Sequence, residues 1–209
     1  MTFSPILIFS VSLLFMFFLI KIFGNKFALD HPDSRKRHDG AIPQIGGLIF
    51  GVHFLLIVWW LDLAPQWYIL GGGISILLGT LDDNFNVPWQ IKFIVQLSLA
   101  GYLSMIFWGQ FQIISFYSLS FMTSQFELLV IFLFWFIGIY NAVNLLDGLD
   151  GLAGGFMLIL CLGLTLSTSI INSTLNLILS VILLVFLVFN QRPAKLFMGD
   201  AGSLFLGFH

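Results

Sequence analysis

Two adjacent carboxylates, Asp82 and Asp83, follow an apolar stretch in the segment LGTLDDNFNVPWQIK. Neighbouring carboxylates repel each other unless one is protonated or a cation lies close, so the pair indicates divalent-metal binding, phosphate chemistry or proton transfer. A solvated helix end is the alternative, although acids at a helix C-terminus oppose the helix dipole. Lys92 follows at the start of the next apolar stretch, where it is equally suited to bind a phosphate or to anchor a span at the membrane surface.

A second polar segment, NAVNLLDGLDGLAGG, interrupts another apolar region. Its amide and carboxylate oxygens recur every three residues, a spacing that places them on one face of a helix end. They belong to Asn141, Asn144, Asp147 and Asp150. Capping and interhelical hydrogen bonds would need fewer polar residues, and polar atoms in or near lipid are unfavourable, so the run is a candidate functional site. Gly151 would let the backbone approach a ligand closely.

Asp200 stands between two glycines in RPAKLFMGDAGS, at the predicted start of a further helix. A carboxylate is stabilised at a helix N-terminus, so capping is one interpretation and metal ligation is the other. The segment DHPDSRKRHDGAIPQIGG, which contains Arg37 and His38, is suited to phosphate and interfacial contacts, although topology alone would also explain its charges. For His53, within an apolar stretch, we expect a polar contact between helices.

The elements that must position these residues are membrane spans. Of the 209 residues, 59% are hydrophobic and 9% are charged, which is typical of an all-α, polytopic membrane bundle. The net charge of −2 gives no indication of a nucleic-acid partner. The single cysteine, Cys161, lies in an apolar run, so we predict neither a disulfide framework nor a cysteine metal site, and we expect a small buried side chain.

Apolar stretches long enough to cross a bilayer predict about seven complete transmembrane helices and the start of an eighth, in one catalytic domain over residues 1–209. The first stretch lacks the basic n-region and the cleavage site of a signal peptide, so we interpret it as a retained span. The predicted spans are 3–23, 44–61, 67–81, 91–108, 126–142, 152–170 and 174–190, with the eighth starting near residue 198.

The charges predict an orientation with the N-terminus outside. The inner loops are then 24–43, 82–92, 142–151 and 190–199, and all 8 Lys and Arg fall in or beside them. Only Asp62 and Glu127, of the 10 acidic residues, fall on the outer side. Since acids contribute little to orientation, their concentration beside the inner face predicts an active site there.

Four ordered segments resemble the polyprenyl-phosphate N-acetylhexosamine-1-phosphate transferase family, which is glycosyltransferase family 4. They are RKRHDGAIPQIGG, LDDNFNVPWQIK, NAVNLLDGLDGLAGG and LFMGDAGS. The resemblance implies an enzyme of the bacterial inner membrane that transfers a sugar-1-phosphate from a UDP-N-acetylhexosamine to undecaprenyl phosphate and releases UMP. It also implies Mg²⁺, with Mn²⁺ as the alternative, an active site on the cytoplasmic face, contact with membrane lipid, and an architecture compatible with a homodimer.

The resemblance also implies residue roles. Asn144 and Asp200 match metal-ligating positions, and Asp82 is the candidate base for the lipid phosphate. The other implied catalytic residues are Asp83, Lys92 and Asp147, and the implied substrate-binding residues are Asn141, Asp150, Gly151, Arg37 and His38. A direct displacement and a route through an aspartyl-phosphate both remain open.

The sequence GAIPQIGG is closer to the branch that uses UDP-GlcNAc than to the phospho-MurNAc-pentapeptide transferases, which typically read GTPTMGG. The UDP-GlcNAc branch starts O-antigen, common-antigen or teichoic-acid linkage synthesis. Family members have ten or eleven spans and a His-rich loop (H-x-H-H-like) near the C-terminus, whereas this sequence ends at His209. From the sequence we therefore expect a fragment, or a truncated relative without activity.

Two other classes of membrane protein fit less well. A CDP-alcohol phosphotransferase would carry an arginine after its Asp-Gly motif, and DGLDGLAGG contains none. A transporter would place ionisable groups at mid-membrane and show internal repeats, whereas here the acids lie at the ends of spans.

Overall fold

The structure, a computed structural model, describes residues 4–24, 29–30, 40–108, 114–116, 119–121, 125–167 and 170–209. The described part is built almost entirely from helices. They are α1 (Pro5–Phe23), α2 (Gly46–Trp60), α3 (Gln66–Phe85), α4 (Trp89–Ile106), α5 (Gln125–Leu146), α6 (Leu152–Ser167), α7 (Ile170–Asn190) and α8 (Gly199–Phe208). Two short antiparallel pairs complete it: β1 (Leu29–Asp30) with β2 (Ile42–Pro43), and β3 (Ile114–Phe116) with β4 (Leu119–Phe121).

The helices confirm the prediction of an all-α membrane bundle. Within the described residues, three helical segments are long and apolar enough to cross a membrane: Pro5–Phe23, Phe126–Leu146 and Ser173–Asn190. The helices Gly46–Trp60 and Leu152–Ser167 are apolar but shorter. Each predicted span coincides with one helix, because long apolar runs between Gly, Pro and polar breaks specify helices locally.

Two helices continue beyond their predicted spans, and both extensions carry candidate residues. Helix α3 runs to Phe85, so Asp82 and Asp83 lie in its last turns; it is capped by Asn86, whose φ of 51° is left-handed. Helix α5 runs to Leu146 and includes Asn141 and Asn144. Asp147 and Asp150 follow it in a turn, so only the first two of the four regularly spaced polar residues lie on the helix.

The chain divides into two compact units. The first comprises residues 1–86 and 143–209, and the second comprises residues 87–142. In the first unit, α8 packs against α2 and α3, while α7 packs against α1, α2 and α6. Its core contains the aromatic rings of Phe50, Phe54, Phe186 and Phe205. The second unit contains α4, the β3–β4 pair and most of α5.

Glycines allow α8 to approach its two neighbours closely. A Cβ at Gly47 would lie 2.0 Å from the backbone nitrogen of Gly202, so α2 and α8 meet glycine to glycine. A Cβ at Gly79 would lie 2.3 Å from the backbone of Asp200 and Ala201, so α3 is equally close to the first turn of α8. Small residues are what lets membrane helices pack backbone to backbone.

Two buried polar side chains occupy the environments that the sequence predicts. His53 on α2 lies with Nε2 2.9 Å from Oγ of Ser12 on α1, and Phe15 stacks on its ring. The expected polar contact between helices is therefore confirmed. Cys161 is a free, buried cysteine on α6, as expected.

Candidate functional site

The N-terminus of α8 is held by a side chain from α3. Both oxygens of Asp83 accept backbone hydrogen bonds: Oδ1 from the N–H of Asp200, at 2.8 Å, and Oδ2 from the N–H of Ala201, at 3.1 Å. The first N–H groups of a helix have no partner within the helix, and a carboxylate there also complements the helix dipole. The last turn of α3 therefore fixes where α8, with Asp200, begins.

Asp200 in turn receives a hydrogen bond from the end of α5. Nδ2 of Asn144 donates to Oδ1 of Asp200, at 2.9 Å, and to Oγ of Ser203 one turn along α8, at 2.8 Å. Asn144 is thereby oriented by two partners on α8. The structure brings together the two residues whose sequence positions matched metal-ligating ones.

A third carboxyl group, Asp147, completes the cluster that we call the carboxylate cluster: Asp83, Asn144, Asp147 and Asp200. Asp147 is half-buried in the turn after α5. Burial, together with the negative charges of Asp200 and Asp83, raises its pKa to about 8, against the opposing effect of a hydrogen bond from the backbone of Gly199. The three carboxyl groups therefore lie close enough for their charges to interact.

The pKa of Asp83, which lies beyond the predicted span 67–81, shows the same effect. Burial and the charges of Asp200 and Asp82 raise this pKa, the two backbone N–H groups of α8 oppose the rise, and the resulting pKa is about 7. Asp82 itself is buried, with 7% of its surface exposed. Asp82 and Asp83 therefore both lie at the C-terminal end of α3, on different sides of the helix.

Gly199 admits the carboxylate of Asp83. Its φ of 70° lies in the left-handed region, and a Cβ there would lie 2.7 Å from Oδ2 of Asp83. A larger residue would be strained in backbone conformation and would displace the carboxylate as well. The two residues before Gly199 are also held by backbone bonds, since Gly46 and Gly47 donate to the carbonyls of Phe197 and Met198.

Asn190 is a site residue that the sequence analysis missed. Its side chain is 4% exposed at the end of α7. Its Oδ1 accepts from the N–H of Gly151, at 2.9 Å, and its Nδ2 donates to the carbonyl of Leu196, at 2.8 Å. One amide therefore ties the turn after Asp147 to the segment before Asp200. An asparagine that ends an otherwise apolar span was the signal that could have found it.

The remaining candidates are distributed differently. Gly151 lies in the first unit with a φ of 75°, and Asp150 beside it is exposed.

Lys92 and Asn141 belong to the second unit. There Asn141 exchanges two hydrogen bonds with Gln96, of 2.8 and 3.2 Å, and also donates to the carbonyl of Ile137. Arg37 and His38 lie outside the described residues.

The carboxylate cluster fits Mg²⁺ better than a softer metal, because its donors are carboxylate and amide oxygens. Among the described residues, no group of three or more His, Cys, Asp or Glu side chains is arranged to hold a metal by itself. Mg²⁺ is usually bound through one or two carboxylates together with substrate phosphates and water, so a small donor set is what such a site requires.

Comparison with known proteins identifies one family. A family model described as Glycosyl transferase family 4 matches residues 66–209, which contain the whole carboxylate cluster. A protein of Bacillus subtilis (strain 168), named as a probable undecaprenyl-phosphate N-acetylglucosaminyl 1-phosphate transferase, is 37% identical over 206 residues, covering 87% of this chain and 53% of the relative.

Further relatives cover a similar part of the chain. The undecaprenyl-phosphate alpha-N-acetylglucosaminyl 1-phosphate transferase of Escherichia coli (strain K12) is 31% identical over 96% of this chain and 58% of its own length. The phospho-N-acetylmuramoyl-pentapeptide-transferase of Petrotoga mobilis (strain DSM 10674 / SJ95) is 32% identical over 94% of this chain and 70% of its own length. The chain thus spans somewhat more than half the length of the first two relatives.

Proposed function

Because the chain belongs to glycosyl transferase family 4, we propose that the protein transfers a sugar-1-phosphate from a UDP-sugar to undecaprenyl phosphate and releases UMP. The observation that carries the proposal is the carboxylate cluster at the start of α8, where Asp83, Asn144 and Asp200 are joined by hydrogen bonds. Such a cluster at the end of a membrane bundle can serve a soluble phosphorylated donor and a membrane-embedded acceptor together.

The proposed donor is UDP-GlcNAc. The relatives of Bacillus subtilis and Escherichia coli are both named as N-acetylglucosaminyl 1-phosphate transferases that act on undecaprenyl phosphate. The segment GAIPQIGG supports the same branch. The product would be a lipid-linked sugar diphosphate, which is the first intermediate of a cell-surface glycan.

Asp200 and Asn144 are the residues that would hold Mg²⁺, because the hydrogen bond from Nδ2 of Asn144 to Oδ1 of Asp200 keeps these two oxygen-bearing side chains together. When bound, the cation would neutralise charge on the donor diphosphate and on the departing UMP. Asp83 contributes indirectly: it fixes the first turn of α8 and so positions Asp200. Asp147, close to the same charges, would support the arrangement.

The reaction joins two anions. An oxygen of the lipid phosphate attacks the phosphorus that carries the sugar, a new P–O bond forms, and the bond to UMP breaks. Asp82 is the proposed base, and its task is small because the second pKa of a phosphate monoester is near 6. Lys92 is proposed to screen the phosphate charges. Positioning and electrostatic stabilisation then supply most of the rate, as is usual in phosphoryl transfer.

The donor's nucleoside and sugar are proposed to contact the turn after α5. Asp150 is exposed there and Gly151 lets the backbone approach a ligand, with Asn190 holding the turn in place. Arg37, His38 and Asn141 are proposed to assist in donor binding. The protein is proposed to lie in the bacterial plasma membrane with the N-terminus outside and the site on the cytoplasmic face, on the basis of its lysine and arginine distribution.

A transfer assay tests the proposal. Membranes containing the full-length protein would be incubated with Mg²⁺, labelled undecaprenyl phosphate and one donor at a time: UDP-GlcNAc, UDP-GalNAc or UDP-MurNAc-pentapeptide. We expect a labelled lipid-linked sugar diphosphate and UMP with UDP-GlcNAc, and no product in the Asp200→Asn variant. The Bacillus subtilis relative serves as the positive control.

The other donors decide the branch. Product with UDP-MurNAc-pentapeptide alone would favour the second candidate function, which the 32% identity to the Petrotoga mobilis transferase supports. Failure of every donor, while the control enzyme is active in the same membranes, would contradict the proposed function itself.

A further inference from the structure

Ser203 carries a buried hydroxyl beside the carboxylate cluster, and the proposed function gives it no role. Its side chain is 0% exposed. It lies three residues after Asp200 on α8, so the two side chains share one face of that helix. Nδ2 of Asn144 donates to Oγ of Ser203, at 2.8 Å, and to Oδ1 of Asp200, at 2.9 Å. One face of α8 therefore receives both hydrogen bonds from the same amide.

These two hydrogen bonds use the whole donating capacity of the Asn144 side chain. A carboxamide nitrogen carries two hydrogens, and the carboxamide oxygen only accepts. Reversing the amide would place its oxygen against the carboxylate of Asp200, which also only accepts, so the nitrogen has to face α8. The position of Oδ1 is then fixed by the plane of the amide. No hydrogen bond to Oδ1 comes from the described residues.

The hydroxyl of Ser203 acts as an acceptor towards Asn144. An amide nitrogen offers no lone pair, so the serine proton has to point elsewhere. The carbonyl oxygen of Asp200 lies 3.4 Å from Oγ, back along α8, and takes that proton. The first turn of α8 is itself held by the two backbone hydrogen bonds to Asp83. The acceptor that orients Asn144 is therefore fixed in place.

This arrangement decides which atom of Asn144 is offered to a ligand. An unrestrained amide can donate to a phosphate or ligate a cation, whereas an amide whose nitrogen is fully used offers its oxygen. We propose that Ser203 is a positioning residue for metal binding, which holds the Asn144 amide so that Oδ1 is available to Mg²⁺ together with Asp200. The inference rests on the proposed function, in which Asn144 and Asp200 hold the cation. Partners that orient metal ligands commonly set metal affinity in this way.

Mn²⁺ binding tests the proposal without turnover, because Mn²⁺ prefers the same oxygen ligands as Mg²⁺. The purified full-length protein in detergent would be titrated with Mn²⁺ in the absence of lipid acceptor, and the free ion would be followed by its EPR signal. We expect Mg²⁺ to displace the bound Mn²⁺. Ser203→Ala should raise the Kd for Mn²⁺ about tenfold, the lower end of the effect of removing a partner of a metal ligand. In the transfer assay, a higher Mg²⁺ concentration should restore much of the rate.

Two further variants separate the orientation of Asn144 from packing in general. Ser180→Ala is the matched control, because Ser180 on α7 is also a fully buried helical serine and its hydroxyl donates to the carbonyl of Asn176, at 2.7 Å. It should leave the Kd for Mn²⁺ unchanged. Ser203→Cys keeps nearly the size of the side chain but offers sulfur, a weak acceptor, so its Kd should lie between those of the unaltered protein and Ser203→Ala. It gives the same test should Ser203→Ala fold poorly.

A double-mutant cycle shows whether Ser203 acts through Asn144. In an Asn144→Ala background, Ser203→Ala should cause no further rise in the Kd for Mn²⁺, since the amide that it orients is absent. A further tenfold rise in that background would overturn the inference, and so would an unchanged Kd in Ser203→Ala alone. Either result, obtained while the unaltered protein makes product from UDP-GlcNAc, would leave the proposed function standing.

The unaltered protein provides the remaining outcome. Absence of Mn²⁺ binding would overturn the role of Ser203 together with the assignment of Asn144 and Asp200 to the metal. It would contradict the proposed function as well only if the transfer assay also gave no product with any donor.

Discussion

At the scale of single residues, the central feature is that the negative charge of Asp200 raises the pKa of both Asp83 and Asp147. Burial and the neighbouring negative charges together raise the pKa of Asp83 to about 7 and that of Asp147 to about 8. Each group has its own environment, however. Asp83 is bonded to two backbone N–H groups, while Asp200 is bonded to an amide. Substitutions should therefore separate their roles.

Asp200→Asn should abolish most transfer activity while leaving membrane insertion nearly unchanged. An amide keeps the size of the side chain but removes the charge proposed to bind Mg²⁺, so we expect a loss of about 100-fold or more and a weakened dependence on Mg²⁺. Initial rates measured over a range of Mg²⁺ concentrations check this. Asp62→Asn, at an exposed position whose φ of 52° an asparagine tolerates, is the control. Full activity of Asp200→Asn would remove Asp200 from the site.

Asp82→Asn and Asp83→Asn should fail in different ways, because adjacent helical side chains point about 100° apart. Asp82→Asn should lower turnover and spare UDP-sugar binding, and raising the pH through about 6 should partly restore turnover by ionising the lipid phosphate directly. Asp83→Asn leaves one oxygen to accept from two N–H groups of α8, so it should weaken donor or metal binding without rescue. The measurements are pH–rate profiles and UDP-sugar affinities. Identical profiles would refute the assignment.

At the scale of elements, the site depends on how the segments between helices are tied together. The turn after α5 and the segment before α8 are far apart in sequence, and Asn190 at the end of α7 bonds to both. Because the Asn190 side chain is buried, water has little access to take its place in these hydrogen bonds. The geometry of the proposed donor site is thus set by a residue that need not touch the donor.

Asn190→Ala should raise the KM for the UDP-sugar more than it lowers kcat, and should lower thermal stability. It leaves the N–H of Gly151 and the carbonyl of Leu196 without this partner, at about 1–3 kcal/mol for each unsatisfied group. Asn190→Asp retains an acceptor for Gly151 but loses the donor to Leu196, so its effect should be intermediate. Kinetics and thermal unfolding in detergent check the series. If Asn190→Ala and Asn190→Asp lowered thermal stability equally and left KM and kcat unchanged, the role of Asn190 would be purely structural.

At the scale of the whole molecule, the distribution of charge along the chain sets the expected topology. All 8 lysines and arginines lie in or beside alternate loops between the helices. Since lysine and arginine bias a loop towards the cytoplasm, these loops should share that side. The carboxylate cluster would then meet a cytosolic nucleotide sugar.

Cysteine accessibility tests this topology. In a protein with Cys161 replaced by alanine, Ser34→Cys and Leu149→Cys should react in intact cells only with a membrane-permeant reagent. Leu149 is exposed in the structure, and Ser34 lies outside the described residues. Asp62→Cys, exposed between α2 and α3, should react with an impermeant reagent and so serves as the control. Reaction of both test sites with the impermeant reagent would invert the topology.

The sequence by itself determined the class of the protein, the positions of its helices and the order of its polar segments. These follow from local properties, because a long apolar run has to satisfy its backbone hydrogen bonds as a helix when it lies in lipid. Helix ends were less well determined. No glycine or proline interrupts residues 80–86, so α3 continued through Asp82 and Asp83 until Asn86 adopted a left-handed conformation.

Only the tertiary structure decided which polar residues meet. Asp83 caps α8 across more than a hundred residues, Asn190 joins two segments, and Gly47 contacts Gly202. Asn141, which the three-residue spacing grouped with Asn144, instead pairs with Gln96 in the other unit. Such pairings depend on how helices pack against one another, and packing is fixed by shape and close backbone approach between distant segments, which local periodicity does not encode.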